Sequence, residues 1–342
     1  MGGAKEWEED FKLELEDEDK HSPYYKQNFE NQPHFNYIGG TTSVAPFIVS
    51  IKQEEKLKKK KFNWRVIVWE KTENHLLFIE ASSKQKCIKK LKADHLPNLL
   101  ATVDLQEVTK QHDAFVQELV HMEDRLLIKA YKFGVVYCKA GQTDECEMFS
   151  NRDGSPEFEE FLGSIAKKVP LKGHPGYGGG LDLKTNTTGT MTYVTKFKQF
   201  EIIFHVSTYL PYMEQNPQQL QRKAHIGNDV VVIVFQDGPN GGFRPSTISS
   251  KFNHVYAVVQ PRALGKGAVT KYNFSIVSKS GVRIHGPVLP PPPVVFPQGE
   301  EFRQFLLTKL INAERAAYFA PGFAQTRTRR MWLEEIVEKY KD

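Results

Sequence analysis

The sequence predicts an α/β chain, α+β overall, with a larger domain built on a central sheet flanked by helices and a smaller mixed β/α domain ahead of it. Three observations carry this. The chain has 342 residues, against roughly 100–200 per domain. Val230-Val231-Val232-Ile233-Val234-Phe235 is apolar without interruption, as a strand buried on both faces must be. Near Leu126 the pattern changes from hairpin-like strands to strands separated by helices. An apolar fraction of 40% supplies both cores and excludes a disordered chain.

Residues 1–24 read as an acidic flexible tail. The first twenty hold nine acids against three lysines, and beyond Trp7, Phe11, Leu13 and Leu15 the stretch from Glu6 to Asp19 has little to bury. Residues 25–125 form the smaller domain, with strands at Val44–Ile51, Trp64–Trp69 and His75–Ala81 and helices around Ser83–Leu91 and Glu107–Val120. Between the first two strands, Glu54–Lys61 reads as an exposed hairpin loop. Its lysine run lacks the interleaved aromatics of a nucleic-acid site.

Residues 126–320 form the larger domain. Leu126–Lys139 is strand material. Ser155-Pro156 opens a helix as N-cap and first residue, and Phe158, Phe161, Leu162 and Ile165 make one apolar stripe. Strands follow at Thr192–Phe197, Glu201–Val206, Asp229–Phe235, Val255–Val259 and Tyr272–Val277. The proline run from Leu289 to Pro293 reads as a stiff connector, with an SH3-type ligand as its other reading. A long helix from about Gly299 to Ala320 turns Phe302, Phe305, Leu306, Leu310 and Ala313 inward. Pro321-Gly322 breaks it, and residues 321–342 end in a second amphipathic helix.

Much chemistry is excluded. No run of about 18 apolar residues exists for a membrane span, and the N-terminus lacks a signal-peptide h-region. Cys87, Cys138 and Cys146 make neither a disulfide framework nor a CxxC site. These features predict a soluble cytoplasmic protein. Outside the first twenty residues the chain holds forty-three basic against thirty-two acidic side chains, a balance compatible with an acidic partner or peripheral recruitment to a membrane. No P-loop, GxSxG, HExxH or EF-hand occurs. Gly176–Gly180 fails the dinucleotide spacing and reads as a flexible surface loop, and no HxxxH pair suggests a metal.

The segment Asn216–Asp229 stands out. Asn216 suits an N-cap, Pro217 the first helical position and Gln219 a capping-box partner. Helical spacing puts Leu220 and Ala224 on an inward face and Gln221, His225 and Asn228 on an outward one. The bland alternative is a Gly227-Asn228 helix cap beside a solvated basic face.

His225-Ile226-Gly227-Asn228-Asp229-Val230-Val231, followed by Val234-Phe235-Gln236-Asp237, closely resembles the catalytic signature of Rap-type GTPase-activating proteins. Phe133–Tyr137, Gly141–Thr143, Glu201–Thr208, Leu210–Tyr212, Phe302–Phe305 and Leu306–Glu314 resemble the family's further blocks, in order. The similarity runs from about Tyr25 to Arg330.

The resemblance implies a catalytic domain similar to a Ras-like G domain, with a smaller homodimerisation domain on which the terminal helices pack back. It implies a partner, a Rap-family small GTPase in its GTP form, that lacks the usual water-orienting glutamine. Asn228 matches the asparagine "thumb" that supplies a carboxamide in its place. Such a protein is no hydrolase itself, since it lends a catalytic residue in trans. GTP and Mg2+ belong to the partner, and the chain has no cofactor or metal of its own. Lys223 and His225 match positions flanking the thumb and are expected to contact the partner or stabilise the helix. Gln221, Arg222 and, by a weaker match, Arg327 complete the partner-binding set, with neither Arg222 nor Lys223 as an arginine finger. Ala224 departs from a pattern that often has a basic residue there. His205 is expected to be structural. The competing readings are an activator of another Ras-like GTPase, a non-catalytic dimeric scaffold that binds GTPases, and a nucleic-acid module.

Overall fold

The computed structural model describes residues 12–16, 22–40, 45–56, 61–71, 73–95, 103–238, 243–262, 270–320 and 325–341. Most of the predicted tail and Lys58–Lys60 of the basic run lie outside the described residues. The chain divides into two compact units, one of residues 1–16 and 129–323, the other of 17–128 and 324–342.

The smaller unit is an antiparallel sheet of strands β1 (Phe35–Gly39), β2 (Phe47–Lys56), β3 (Phe62–Trp69), β4 (Asn74–Ala81) and β5 (Gln106–Glu107), in the order β4-β3-β2-β1-β5. Its near-continuous apolar runs follow from burial on both faces. Ile48 and Ile67 pack with Tyr25, Phe115, Leu119 and Leu333 on one side. Val49, Ile51, Val66 and Val68 pack with Cys87, Leu91 and Val103 on the other. Helices α1 (Tyr24–Asn28), α2 (Lys84–Lys90), α3 (His112–Leu126) and α8 (Gln325–Tyr340) belong to this unit. Helix α3 starts five residues later than the periodicity suggests, because Gln106 and Glu107 pair with Ile38 and Tyr37 as an edge strand. It also runs to Leu126, so the next strand begins at Ala130.

The larger unit holds eight strands in the order β13-β12-β11-β10-β6-β9-β8-β7. These are β6 (Ala130–Lys139), β7 (Lys167–Pro170), β8 (Met191–Phe197), β9 (Phe200–Val206), β10 (Val231–Asp237), β11 (Val255–Arg262), β12 (Lys271–Ser278) and β13 (Val294–Pro297). The central four, β11-β10-β6-β9, run parallel, and antiparallel strands flank them on both sides. Parallel strands of this kind are buried on both faces, and every residue from Val230 to Phe235 is buried.

Helices α4 (Glu145–Phe149), α5 (Pro156–Ile165), α6 (Leu220–Ile226) and α7 (Glu300–Ala317) complete this unit. Ser155 caps α5 by accepting the Phe158 N–H, and Phe158, Phe161, Leu162 and Ile165 are buried as their stripe predicts. Helix α7 is buried almost all round, polar Lys309, Asn312, Glu314 and Arg315 included.

Two expectations need correction. Residues 12–16 of the tail, expected to be mobile or loosely docked, form a docked strap. Leu15 is buried, Asn312 accepts the Glu16 N–H and donates to the Glu14 carbonyl, and Arg315 donates to the Glu16 carbonyl. The Gly176–Gly180 loop is at the surface as expected, with Tyr177 and Gly180 exposed, but it is pinned to the sheet. Gly179, in the left-handed region at φ 59°, is buried so close to the sheet that a Cβ would meet Ile203 at 2.6 Å. The Tyr177 N–H in the same loop donates to Glu201.

Candidate functional site

Helix α6 begins at Leu220, three residues later than expected, because Gln219 adopts a left-handed conformation and its side chain bonds Met213 and Asn216 instead of capping. The helix also buries a different face from the expected one, while Gln221 and Asn228 stay outward. Leu220 and Ala224 are exposed, and Arg222 and Ile226 are buried. Arg222 is therefore placed inside and not on a partner-facing surface. Its guanidinium donates to the carbonyls of Leu210, Pro211, Phe149 and Asn151 and lies 5.1 Å from the Tyr212 ring centroid. Burial pulls its pKa down to about 10, so it stays charged at neutral pH.

The other residues read from the sequence remain accessible. Gln221 and Asn228 are exposed, and His225 and Lys223 are half-buried. Lys223 pairs with Glu145, whose other carboxylate oxygen accepts the Ser249 N–H. His225 stacks edge-on to His205, 5.8 Å between centroids. Burial and then His205 push its pKa down, opposed by Asp229 and aided by Lys132. Arg327 lies in α8, in the other unit, and its side chain is outside the described residues.

Asn228 stands on a tight turn between α6 and β10. Gly227 closes the helix at φ −64° and is needed for space, since a Cβ there would meet the Lys223 carbonyl oxygen at 2.6 Å. The Asn228 N–H donates to the His225 carbonyl, and its side-chain amide donates to the Ala224 carbonyl at 2.8 Å. All four carbonyls of the turn are held by side chains. Asn253 Nδ2 donates to Ile226 O and Asp229 O, Ser250 Oγ to Gly227 O, and Lys132 Nζ to Asn228 O.

Beneath the turn lies a buried polar layer. Asp229 is fully buried, pairing with His205 Nδ1 at 2.9 Å and with Lys132 Nζ at 3.2 Å. Gly134 on β6 leaves room for it, because a Cβ there would lie 3.1 Å from Asp229 Oδ2. His205 is structural in this sense, a buried strand residue that holds the acid following Asn228. Lys132, Ser250 and Asn253 had no signal in the sequence. Each is an ordinary polar residue brought to the turn from a strand or loop remote in the chain. The site sits at the amino edge of the parallel strands, opposite the carboxyl edge where open α/β sheets usually hold small ligands. Among the described residues, no group of three or more His, Cys, Asp or Glu could hold a metal ion. No helix among them is long and apolar enough to cross a membrane.

Similarity to known proteins follows this geometry. Mouse GTPase-activating Rap/Ran-GAP domain-like protein 3 is 38% identical over 326 residues, 93% of this chain and 30% of its own length. Mouse signal-induced proliferation-associated 1-like protein 1 is 36% identical over 334 residues, 92% of this chain and 18% of its own. The chain thus spans less than a third of either relative. A solved structure of the TSC2 GAP domain is 32% identical and covers 55% of this chain and 96% of that one, with a TM-score of 0.47. A family profile described as Rap/ran-GAP matches residues 148–331, more than half of the chain. That match takes in helix α6, the Asn228 turn and the Ser250–Asn253 segment that holds it, and the chain belongs to the Rap/ran-GAP family.

Proposed function

We propose that this chain accelerates GTP hydrolysis by a small GTPase of the Rap type, with Asn228 supplying its carboxamide in trans. The observation that carries the reading is an exposed carboxamide on a turn whose four carbonyls are fixed by side chains. A carboxamide both donates and accepts, so it can hold a water in line with a γ-phosphate. Phosphoryl transfer depends mainly on such positioning and on charge stabilisation, so no shifted pKa is required of Asn228. Acceleration of about 10⁵-fold, as activators of this general kind achieve, equals about 7 kcal/mol of barrier. GTP and Mg2+ are the partner's, and the chain contributes no cofactor. A homodimer formed through the smaller unit and a cytoplasmic location belong to the same reading. Sedimentation velocity at micromolar concentration decides the dimer.

The test is single-turnover GTP hydrolysis by purified Rap, with wild type beside Asn228→Ala. Wild type should stimulate and the variant should lose most of the effect, with complex formation changed by no more than several-fold. One observation favours a second reading, a non-catalytic scaffold: the Asn228 amide bonds the Ala224 carbonyl as a helix cap would. Under that reading the wild type binds the GTPase without stimulating it, and Asn228→Ala lowers thermal stability and binding together. Stimulation of a different Ras-like GTPase, with Rap inert, would keep the mechanism and change the substrate.

A further inference from the structure

We propose that Asn253 is a positioning residue for the Asn228 carboxamide, with Ser250 as the second arm of the same bracket. The inference rests on the reading of Asn228 given above. The two amide hydrogens of Asn253 go to two carbonyls, Ile226 O at 2.8 Å and Asp229 O at 2.5 Å. The first ends α6 and the second leads into β10, so one side chain spans the turn with Gly227 and Asn228 between its contacts. Ser250 Oγ donates to Gly227 O at 2.6 Å, inside that span.

The bracket is itself anchored to the sheet. Ser250 Oγ accepts the N–H groups of Phe252 and Asn253. The next residue, His254, donates its N–H to Val230 O, and β11 then pairs with β10 from Val255 onward. Lys279 Nζ, just beyond β12, holds the Ser250 carbonyl. The position of the Asn228 Cα is thereby tied to three adjacent strands.

Asn253 is fully buried, and its Oδ1 has no hydrogen-bond partner among the described residues. The side chain commits both donors to the turn. A displacement of about 1 Å in a catalytic group can cost about 10²-fold in rate, so a slackened turn should show in turnover.

The test measures single-turnover GTP hydrolysis by Rap against increasing concentrations of this chain, for wild type, Asn253→Ala, Ser250→Ala and each combined with Asn228→Ala. Asn253→Ala should lower the saturating rate about 10–100-fold and leave the half-saturating concentration within about 3-fold. Ser250→Ala, the milder change should Asn253→Ala fold poorly, should move the rate in the same direction by less. Neither should lower the rate further once Asn228 is alanine, because a positioning residue has nothing left to position. A loss seen only in the half-saturating concentration, or one that multiplies with Asn228→Ala, overturns the proposal.

Hydrogen–deuterium exchange of residues 226–230 in the isolated chain separates this inference from the functional reading. Unchanged exchange in Asn253→Ala overturns the bracket whatever the kinetics. Faster exchange, with no stimulation of any GTPase by wild type, supports the bracket and refutes the activator reading.

Discussion

Arg222→Ala distinguishes a structural arginine from a partner-facing one, and its cost can be worked from the contacts. Arg222 is 1% exposed, and its guanidinium reaches four carbonyls. The single Nε–H is shared between Leu210 and Pro211, so three N–H groups are engaged; at about 2 kcal/mol for each bond to a charged group they contribute about 6 kcal/mol. Burial opposes this. A pKa lowered from 12.5 to about 10 corresponds to about 3 kcal/mol spent keeping the charge inside. The folded form holds this proton less tightly than the unfolded chain, so the cost applies in full at any pH below about 10. The balance leaves a net loss of about 3 kcal/mol on truncation, or about 6–12 °C in melting temperature for a unit of this size. Thermal unfolding by circular dichroism at pH 6 and pH 8 should show the same drop at both. Arg222→Lys should recover only part of it, since a compact ammonium cannot span four carbonyls on separate loops. An unchanged melting temperature, accompanied by weaker binding of the GTPase, would refute the burial argument and return Arg222 to the partner surface.

Two further substitutions probe the same unit. Gly227→Ala puts a Cβ 2.6 Å from the Lys223 carbonyl oxygen at a φ of −64° that any residue accepts. It should cost about 1–3 kcal/mol by collision and depress stimulated hydrolysis, so wild-type melting and turnover together would contradict it. Glu314→Gln addresses pH. The Glu314 carboxyl accepts from Tyr318, its second oxygen has no hydrogen-bond partner among the described residues, and burial lifts its pKa from 4.5 to about 7. The folded state therefore retains a proton that the unfolded chain has released. This stabilising contribution is complete below about pH 4.5 and is lost as the pH rises through about 7. Urea unfolding at pH 5.5 and pH 8 should show the wild type losing more stability than the glutamine variant, by at most about 3 kcal/mol. Equal losses would place the titration elsewhere.

The strands were readable where one side chain pattern admits one environment. The run from Val230 to Phe235 can only be a strand buried on both faces, and Ser155-Pro156 ahead of an apolar stripe fixes helix α5. The faces of α6 were not readable in this way. Leu220 and Ala224 look like its core side, but the elements packed against it offer backbone carbonyls from loops some seventy residues upstream, which suit an arginine. Local periodicity carries no information about those loops. The strap was missed for a similar reason. Its charge content looks solvated until Asn312, Arg315 and the Gly286 N–H supply partners almost three hundred residues away. The turn at Asn228 stood out in the sequence because its motif is contiguous. The residues that hold it are scattered over β6 and the 250–254 segment, and each is ordinary in its own sequence neighbourhood.

The two units own alternating stretches of chain, so the polypeptide passes from one to the other at residues 16/17, 128/129 and 323/324. Neither unit is a single run of sequence. A recombination event with one breakpoint inside 17–323 would therefore sever at least one hydrophobic core, and only exchanges that carry both pieces of a unit together would yield a foldable hybrid. Shortening the start of the chain has the same hidden consequence. A cut after Glu16 removes an edge of the larger unit before the first residue of the smaller one, and strands the polar groups of Asn312 and Arg315 that faced it. Exchange between related chains is thus compatible with transfer of both units together or with substitution in place, and not with transfer of one contiguous half.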